Sequence, residues 1–434
     1  MPAAAAMRRA CATLVVLAAL GSSSVAHATA GTAYAETSDV AAVAGAVVAR
    51  PGNAGTIAAN PAGLADPSEA QVVLNGHFTA LSESFARTGE TKTALGRSFG
   101  GFGFAAASPL PGVLSGLHVG VALDLPAEHI LRVYVPVRAD QPVSALYGSR
   151  PDRIGAMLAL AYALGPLKLG AGLSVSPSLE TPTEVTYVAG RGKTVDKSVV
   201  VRLDRSLSLA ISPTIGVRAQ PLPWLEVGLV YRGAAISHAT GTQRTVAGGI
   251  VANDPIDFYQ FWSPAELALG AAWKPRRAVT LSCDLTWHQW SAFRTGFDGE
   301  PSPEFRDTVS LRAGISIATT RWSVLRAGIA VEPSPIREQV GNSNYLGANT
   351  NTFSIGGGLD LRPIAHVPIA IDAHVRARVS AVQSAHKDPA QLPDASAELP
   401  GKQIDNLGYP GLTSQASSLQ AGLTVTFFLS KERP

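Results

Sequence analysis

Three sets of residues in this 434-residue chain could do chemistry. Asp284 and His288 stand four apart, which on a strand puts both on one face. An acid beside an imidazole is part of a relay that activates a serine. Arg312, Arg326 and Arg376 belong to a wider set of charges on the polar positions of alternating stretches: Arg202, Asp204, Glu226, Arg232, Glu266, Asp284, Asp360, Arg362, Asp372 and Arg378. A planar guanidinium suits a substrate carboxylate, and it equally suits an internal one. The third set is aromatic: Phe258, Tyr259, Phe261 and Trp262 cluster in a long connection, with a second apolar cluster at residues 130–136. Exposed aromatic clusters mark binding surfaces, so these four are candidates for a groove that admits a hydrophobic solute. Strand extensions reaching past a membrane account for them equally well.

Other chemistries find no footing. The chain has no G-x-S-x-G, H-E-x-x-H or C-x-x-C pattern, and no metal or cofactor site is expected. Gly101, Gly103 and Ala106 imitate a dinucleotide fingerprint, but no helical periodicity follows them. Asp284 and His288 point to the polar face, whereas an outer-membrane phospholipase works on its lipid face, so the chain is not expected to be an enzyme.

The elements that must position these residues are strands. The chain is 46% hydrophobic yet only 15% charged, so disorder is excluded. Beyond the N-terminus no apolar run reaches about 18 residues, so a helical membrane protein is excluded too. Val279, Leu281, Cys283, Leu285 and Trp287 alternate with Thr280, Ser282, Asp284, Thr286 and His288, and residues 307–318, 225–232, 265–273, 369–379 and 419–429 do the same. Alternation means strands with one apolar and one polar face. Tight connections at 108–113, 163–167, 219–223, 274–278, 318–321 and 362–367 alternate with long ones near 87–97, 126–152, 178–197, 233–262, 294–306, 333–350 and 381–416. Six hairpins, a first strand near 71–86 and a last near 419–429 make an all-β, 14-stranded antiparallel transmembrane barrel over residues 71–430. Tyr162, Trp273, Phe427, Tyr231 and Trp287 fall on the apolar face, as aromatics at bilayer interfaces do. Trp224 and Trp322 are out of phase and are expected in the lumen.

The N-terminus reads as a secretory signal over residues 1–28, with Arg8 and Arg9, an apolar core at 11–20 and small residues at a cleavage site. Removing it takes the formal charge from +3 to +1, too near neutral for a nucleic-acid surface. It also leaves Cys283 as the single cysteine, so no intrachain disulfide forms. Residues 29–70 do not alternate and are rich in Ala, Gly and Pro, a composition and length that could plug a barrel.

On several motifs the chain resembles the FadL-type long-chain fatty-acid outer-membrane transporters. Gly45 to Ala49 (GAVVA) followed by Asn60-Pro61-Ala62-Gly63-Leu64 is similar to that family's plug signature. Residues 263–273 (SPAELALGAAW), the series Leu281, Asp284, Trp287, Trp290, Ser291 and Phe293, residues 307–314 (DTVSLRAG) and residues 325–335 (LRAGIAVEPSP) follow in family order. Gln420, Gly422, Val425 and Phe427 resemble the terminal signal read by the barrel-insertion machinery. Where the family often carries an acidic pair, this chain has Pro51-Gly52-Asn53, and Tyr34 is the nearest aromatic to the mature start.

The resemblance implies an N-terminal hatch with Asn60, Pro61, Ala62, Gly63 and Leu64 at its core. It further implies capture of hydrophobic molecules by external loops, a hatch-side pocket, and sideways exit at a kink in the third strand. Here that strand is residues 115–125, with Gly116 and Gly120 as candidate kink positions, although a glycine merely filling a narrow lumen reads the same. Arg312, Arg326 and Arg376 are the candidate carboxylate holders. The expected function is passive uptake of long-chain fatty acids, with aromatic hydrocarbons as the alternative cargo and a porin for polar solutes as the third reading. The expected partners are outer-membrane lipid, lipopolysaccharide and the hydrophobic solute, the expected location is the bacterial outer membrane, and the expected state is a monomer.

Overall fold

The structure, a computed structural model, describes residues 36–50, 52–112, 115–128, 140–144, 154–180, 183–187, 199–203, 206–247, 250–294, 302–395 and 401–429; within these, the side chains of 178–187, 199–208 and 237–261 are not described. The signal segment 1–28, Tyr34 and the apolar cluster at 130–136 lie outside these residues.

Among the described residues, fourteen antiparallel strands close into a barrel. In chain order they are β1 Ala70–Arg87, β2 Ser98–Pro109, β3 Leu117–Pro126, β4 Gly155–Leu164, β5 Leu167–Glu180, β6 Ser206–Leu222 and β7 Leu225–Arg232. They continue as β8 Glu266–Arg276, β9 Val279–His288, β10 Thr308–Ala318, β11 Ser323–Glu332, β12 Thr350–Asp360, β13 Ile369–Ser380 and β14 Gly411–Leu429. Each pairs with the next, and β1 closes on β14 from Ala70↔Leu429 to Arg87↔Leu412. Closure removes the free sheet edges, which is what lets a sheet sit in hydrocarbon.

The wall is inverted relative to a water-soluble barrel. On β4, Leu158 and Leu160 are 62% and 52% exposed on the outside, while Ala159 and Ala161, 5% and 2% exposed, face in. On β12, Phe353 and Ile355 point out, and Thr352 and Ser354 are buried inside. An outer band of leucine, isoleucine and phenylalanine over a small, polar interior is a lipid-facing surface. All six tight connections lie on one rim and the long ones on the other.

Some sequence expectations need correcting. Trp224 and Trp322 do not enter the lumen: each sits in a tight turn just before its strand and is 38% and 37% exposed, because the turn breaks the alternation used to phase them. Arg362 is exposed in the tight turn after β12, not lumenal; it pairs with Asp360, half-buried at the end of that strand, at 2.8 Å and with Glu69 at 2.7 Å, and lies over the Phe428 ring. Gly116 is not on the third strand but in the turn before it, at φ +93°, a conformation that glycine adopts without strain. The last strand begins at Gly411, earlier than its alternation suggests. The connection at 233–262 is no irregular loop; Ala235–Ala247 pairs with Ile250–Ser263 as a hairpin beside the β7–β8 ladder.

The lumen is occupied. The described residues of 36–66 run inside as a short helix, Ser38–Ala41, and two 3-10 turns, Ala54–Thr56 and Pro61–Ala65; most of them are buried and none is exposed. Ile57 and Leu64 pack on Ala105, Ala107, Ala122, Met157, Ala159 and Ala161 of the inner wall. Fully burying each such side chain contributes roughly 1.5–3 kcal/mol. The wall makes room with glycine. A Cβ at Gly170 would lie 2.2 Å from Ala62 N, one at Gly228 2.4 Å from Val48 O, and one at Gly328 2.2 Å from Val43 C. Facing glycines pair across the ladders, Gly170 with Gly216, Gly228 with Gly270 and Gly314 with Gly328, so two strands at a time recede to admit backbone.

Candidate functional site

The inner segment is held by wall side chains on its exposed backbone groups. Asn60 accepts from Ala62 N at 3.1 Å, capping the 3-10 turn whose first residue is Pro61, a position where proline's missing N–H and fixed φ do no harm. Its Nδ2 also donates to Val48 O at 2.8 Å and to Val217 O of β6 at 3.4 Å. One asparagine thus ties two parts of the segment to each other and to the wall. Gly63 packs beside Arg218, and Leu64 fills the space that Gly120 leaves: a Cβ there would lie 2.8 Å from a Leu64 methyl. The ladders of β3 to β2 and β4 run through Gly120 without a register shift.

Most of the described lumenal charges are spent on this attachment or on each other. Arg376 holds Glu36 with two bonds, 2.7 and 2.6 Å. Burial alone would raise the Glu36 carboxyl, but the guanidinium outweighs it and keeps Glu36 below the usual carboxylate range. Asp39 is likewise raised by burial and pulled down further by Arg326 and Arg50. Arg312 pairs with Glu332 at 3.1 Å, and Arg326 pairs with Asp372. Near the tight-turn rim Asp66 pairs with both Lys168 and Arg218, and Arg218 also pairs with Glu226. Asp284 accepts from Val48 N at 2.9 Å. The three arginines named as carboxylate holders therefore each already face an internal carboxylate.

Asp284 and His288 do not form one unit. His288 instead bridges Ser310 at 3.0 Å and Glu266 at 3.1 Å, in the order of a hydrolase relay. His288 is fully buried and Ser310 is 1% exposed, and neither borders the cavity, so no substrate reaches the hydroxyl in this arrangement. Among the described residues no cluster of three or more His, Cys, Asp or Glu is placed to hold a metal.

What the arrangement can hold is a small molecule. A cavity of about 210 Å³ lies between the inner segment and strands β3–β10. Val40, Val47, Val48, Ala58 and Ala59 line it from the segment, and Ala122, Met157, Val175, Ala210 and Ala268 from the wall. Asp124, Gly155, Arg232 and Glu266 border it near the long-connection ends of their strands, which places it on that side of the segment. Arg232 closes one side, pairing with Glu266 at 2.7 Å and donating to Ala58 O at 3.0 Å.

Ser263 and Pro264 continue the lining toward Trp262, which is buried among Trp290, Phe305, Ile336 and Tyr345 with Phe293 beside them. Phe293 stacks on Phe305 at 4.1 Å between ring centroids, and Trp262 meets Phe293 edge-on at 5.3 Å. Of the four aromatics proposed for a groove, only Trp262 has a described side chain; Phe258, Tyr259 and Phe261 lie on the hairpin with their side chains outside the described residues. Sequence reasoning missed that residues 289–307 and 333–349 supply Trp262's partners. The one available signal was the density of Trp and Phe at 290–305.

The fold of this chain is the barrel fold of FadL-type proteins. A FadL homologue of Pseudomonas aeruginosa superimposes with a TM-score of 0.62 at 13% identity, covering 93% of this chain and 99% of the other. The Pseudomonas putida toluene transporter TodX gives 0.53 at 13%, covering 92% and 100%, and the monoaromatic hydrocarbon channel CymD 0.51 at 14%, covering 94% and 100%. No protein-family model matches the sequence, and no curated protein matches it either.

Proposed function

We propose that this chain is an outer-membrane channel for passive uptake of hydrophobic compounds, exported by a signal at residues 1–28 and working as a monomer. Residues 29–70 are its hatch, with Asn60-Pro61-Ala62-Gly63-Leu64 at the centre. Outer-membrane lipid and lipopolysaccharide surround it, and the insertion machinery reads its last strand. The observation that carries this reading is the apolar cavity on the outer-loop side of a segment that fills the lumen. A water-filled porin has neither feature. We assign the entrance to Trp262, which is buried with Trp290, Phe305 and Tyr345, and the capture surface to Phe258, Tyr259 and Phe261 on the hairpin beside it. Release runs sideways through the wall beside Gly120, which spares an apolar solute the passage into water. The β3 ladders are continuous in this state, so release requires Leu64 to withdraw and wall pairs to part.

Fatty acids and aromatic hydrocarbons both fit the fold, and the cavity volume favours the compact cargo. An engineered cavity of about 150 Å³ accepts benzene, so 210 Å³ suits one substituted ring. A long acyl chain needs the hatch to move before it is fully accommodated. Binding of toluene and of palmitate to the purified protein, measured with and without residues 29–70, tests the proposal. Saturable binding of either by the intact protein is the expected result. No saturable binding of any hydrophobic compound sinks it.

A further inference from the structure

The tight-turn rim carries positive charge that no described carboxylate balances. Four carboxylates lie at this rim, and each is already held. Asp66 pairs with Lys168 and Arg218, Glu226 with Arg218 and Lys274, and both Glu69 and Asp360 with Arg362. Three cations are left over: Arg276 and Arg277 at the β8–β9 turn and Arg321 in the β10–β11 turn, all exposed. The described residues of the tight turns at 110–116, 165–166 and 223–224 add no charge. The whole sequence is formally only +3, so the excess on this one rim equals that of the entire chain.

Two exposed tryptophans stand on either side of these arginines. Trp322 follows Arg321 directly, and Trp224 O accepts from Lys274 N at 2.8 Å, two residues before Arg276. The turns β6–β7, β8–β9 and β10–β11 follow one another around the barrel, about 10 Å apart at two strand spacings each. Tryptophan settles at the headgroup level of a bilayer, with its ring toward the acyl chains and its N–H toward water. A guanidinium at that level can give a phosphodiester two parallel N–H···O bonds, and an anionic leaflet attracts its charge. We propose that this rim docks an anionic phospholipid of the phosphatidylglycerol type, its phosphate on Arg276, Arg277 and Arg321 and its acyl chains against Trp224 and Trp322. This rests on the outer-membrane reading, in which short turns face the periplasm and so the phospholipid leaflet. An acidic protein would be drawn to the same arginines, but its contact calls for no indole at the bilayer boundary.

The test reconstitutes the purified protein into phosphatidylcholine vesicles that hold an equal minor fraction of bromine-labelled phosphatidylglycerol or bromine-labelled phosphatidylcholine. Bromine quenches indole fluorescence on contact, so quenching reports which lipid occupies the rim. Phosphatidylglycerol is expected to associate about fivefold more tightly than phosphatidylcholine, the ratio that about 1 kcal/mol for one surface arginine gives. Changing Arg276→Gln, Arg277→Gln and Arg321→Gln together should remove the preference. No described carboxylate pairs with these side chains, so the triple variant should still form its barrel, which heat-resistant migration in detergent gels verifies. Arg87→Gln, at the exposed end of β1 on the opposite rim, should keep the preference, and added salt should weaken it. Equal association of the two lipids overturns the inference and leaves the arginines to an acidic periplasmic protein. A preference that survives the triple variant, or that vanishes in Arg87→Gln, overturns it as well. No quenching by either lipid overturns the outer-membrane reading and this inference with it. Toluene binding tests the channel reading separately and should be unchanged in the triple variant.

Discussion

Glu36 and Arg376 show how single residues set the state of the lumen. Breaking a buried pair of this kind strands the surviving charge and costs roughly 3–5 kcal/mol. Glu36→Gln should therefore loosen the start of the inner segment at neutral pH, seen as frequent current steps through single barrels in planar bilayers. The pair also makes the anchor acid-sensitive. The Glu36 carboxyl is lowered on folding, so its stabilisation is complete above its ordinary value of 4.5 and is lost as pH falls below it. Wild-type current steps should multiply below about pH 4, and the variant should lack that added response. Lys387 works the other way. It is fully buried in the outer loops, donating to Gly341 O at 2.9 Å and Ser343 O at 2.5 Å, and burial depresses its ammonium to about 8 despite Glu304 and Asp140. A base depressed on folding makes the loops more stable as pH rises from about 8 toward its ordinary 10.5. The near-ultraviolet dichroism melt, reporting the aromatics nearby, should move up over that range and should stop moving in Lys387→Met.

At the level of elements, the glycine pairs and the aromatic cap carry separate loads. Gly170 and Gly228 lie where a Cβ would strike the backbone of the inner segment, which cannot rotate aside as a side chain can. Gly170→Ala should displace the segment and raise ion leakage in bilayers. Gly76→Ala is the control: its Cβ meets only the Phe102 ring, at 3.6 Å, and its barrel should stay closed. The cap is a small hydrophobic core built at the long-connection rim, and Trp290 is its largest fully buried member. Trp290→Ala should cost the loops roughly 3–5 kcal/mol, as large-to-small changes of buried aromatics do. Loss of the near-ultraviolet signal without loss of the strand signal is the expected signature, because the barrel ladders do not depend on the cap.

The whole molecule is a closed wall around a filled interior, and the filling depends on the wall. The wall's inner face is small and polar because residues 36–66 occupy it, and those residues, poor in regular structure, have their backbone groups satisfied by wall side chains such as Asp284, Gln71 and Arg232. Reconstituted intact protein should show no large, steady conductance. Deleting residues 36–66 should open a steady pore while the strand signal persists; a closed barrel after deletion would mean that something else occludes the lumen.

The sequence by itself determined the wall. Strand alternation, the two classes of turn and the aromatic band are local, since a side chain's face follows from its position in a two-residue period. Fourteen strands, the six tight turns and the inverted polarity were all legible on that basis. The period failed where the backbone leaves it, which is why Trp224, Trp322, Arg362 and Gly116 were misplaced. The asparagine cap at Asn60 was legible as a local motif, but its bond to Val217 spans 157 positions of chain. The same limit hid the pairing of Arg312 with Glu332, the glycine seat under Val48 and the Trp262 cluster. Only the tertiary structure decided which lumenal charges are paired with which, because pairing in an interior depends on what closure brings within 3 Å, and no period along the chain encodes that distance.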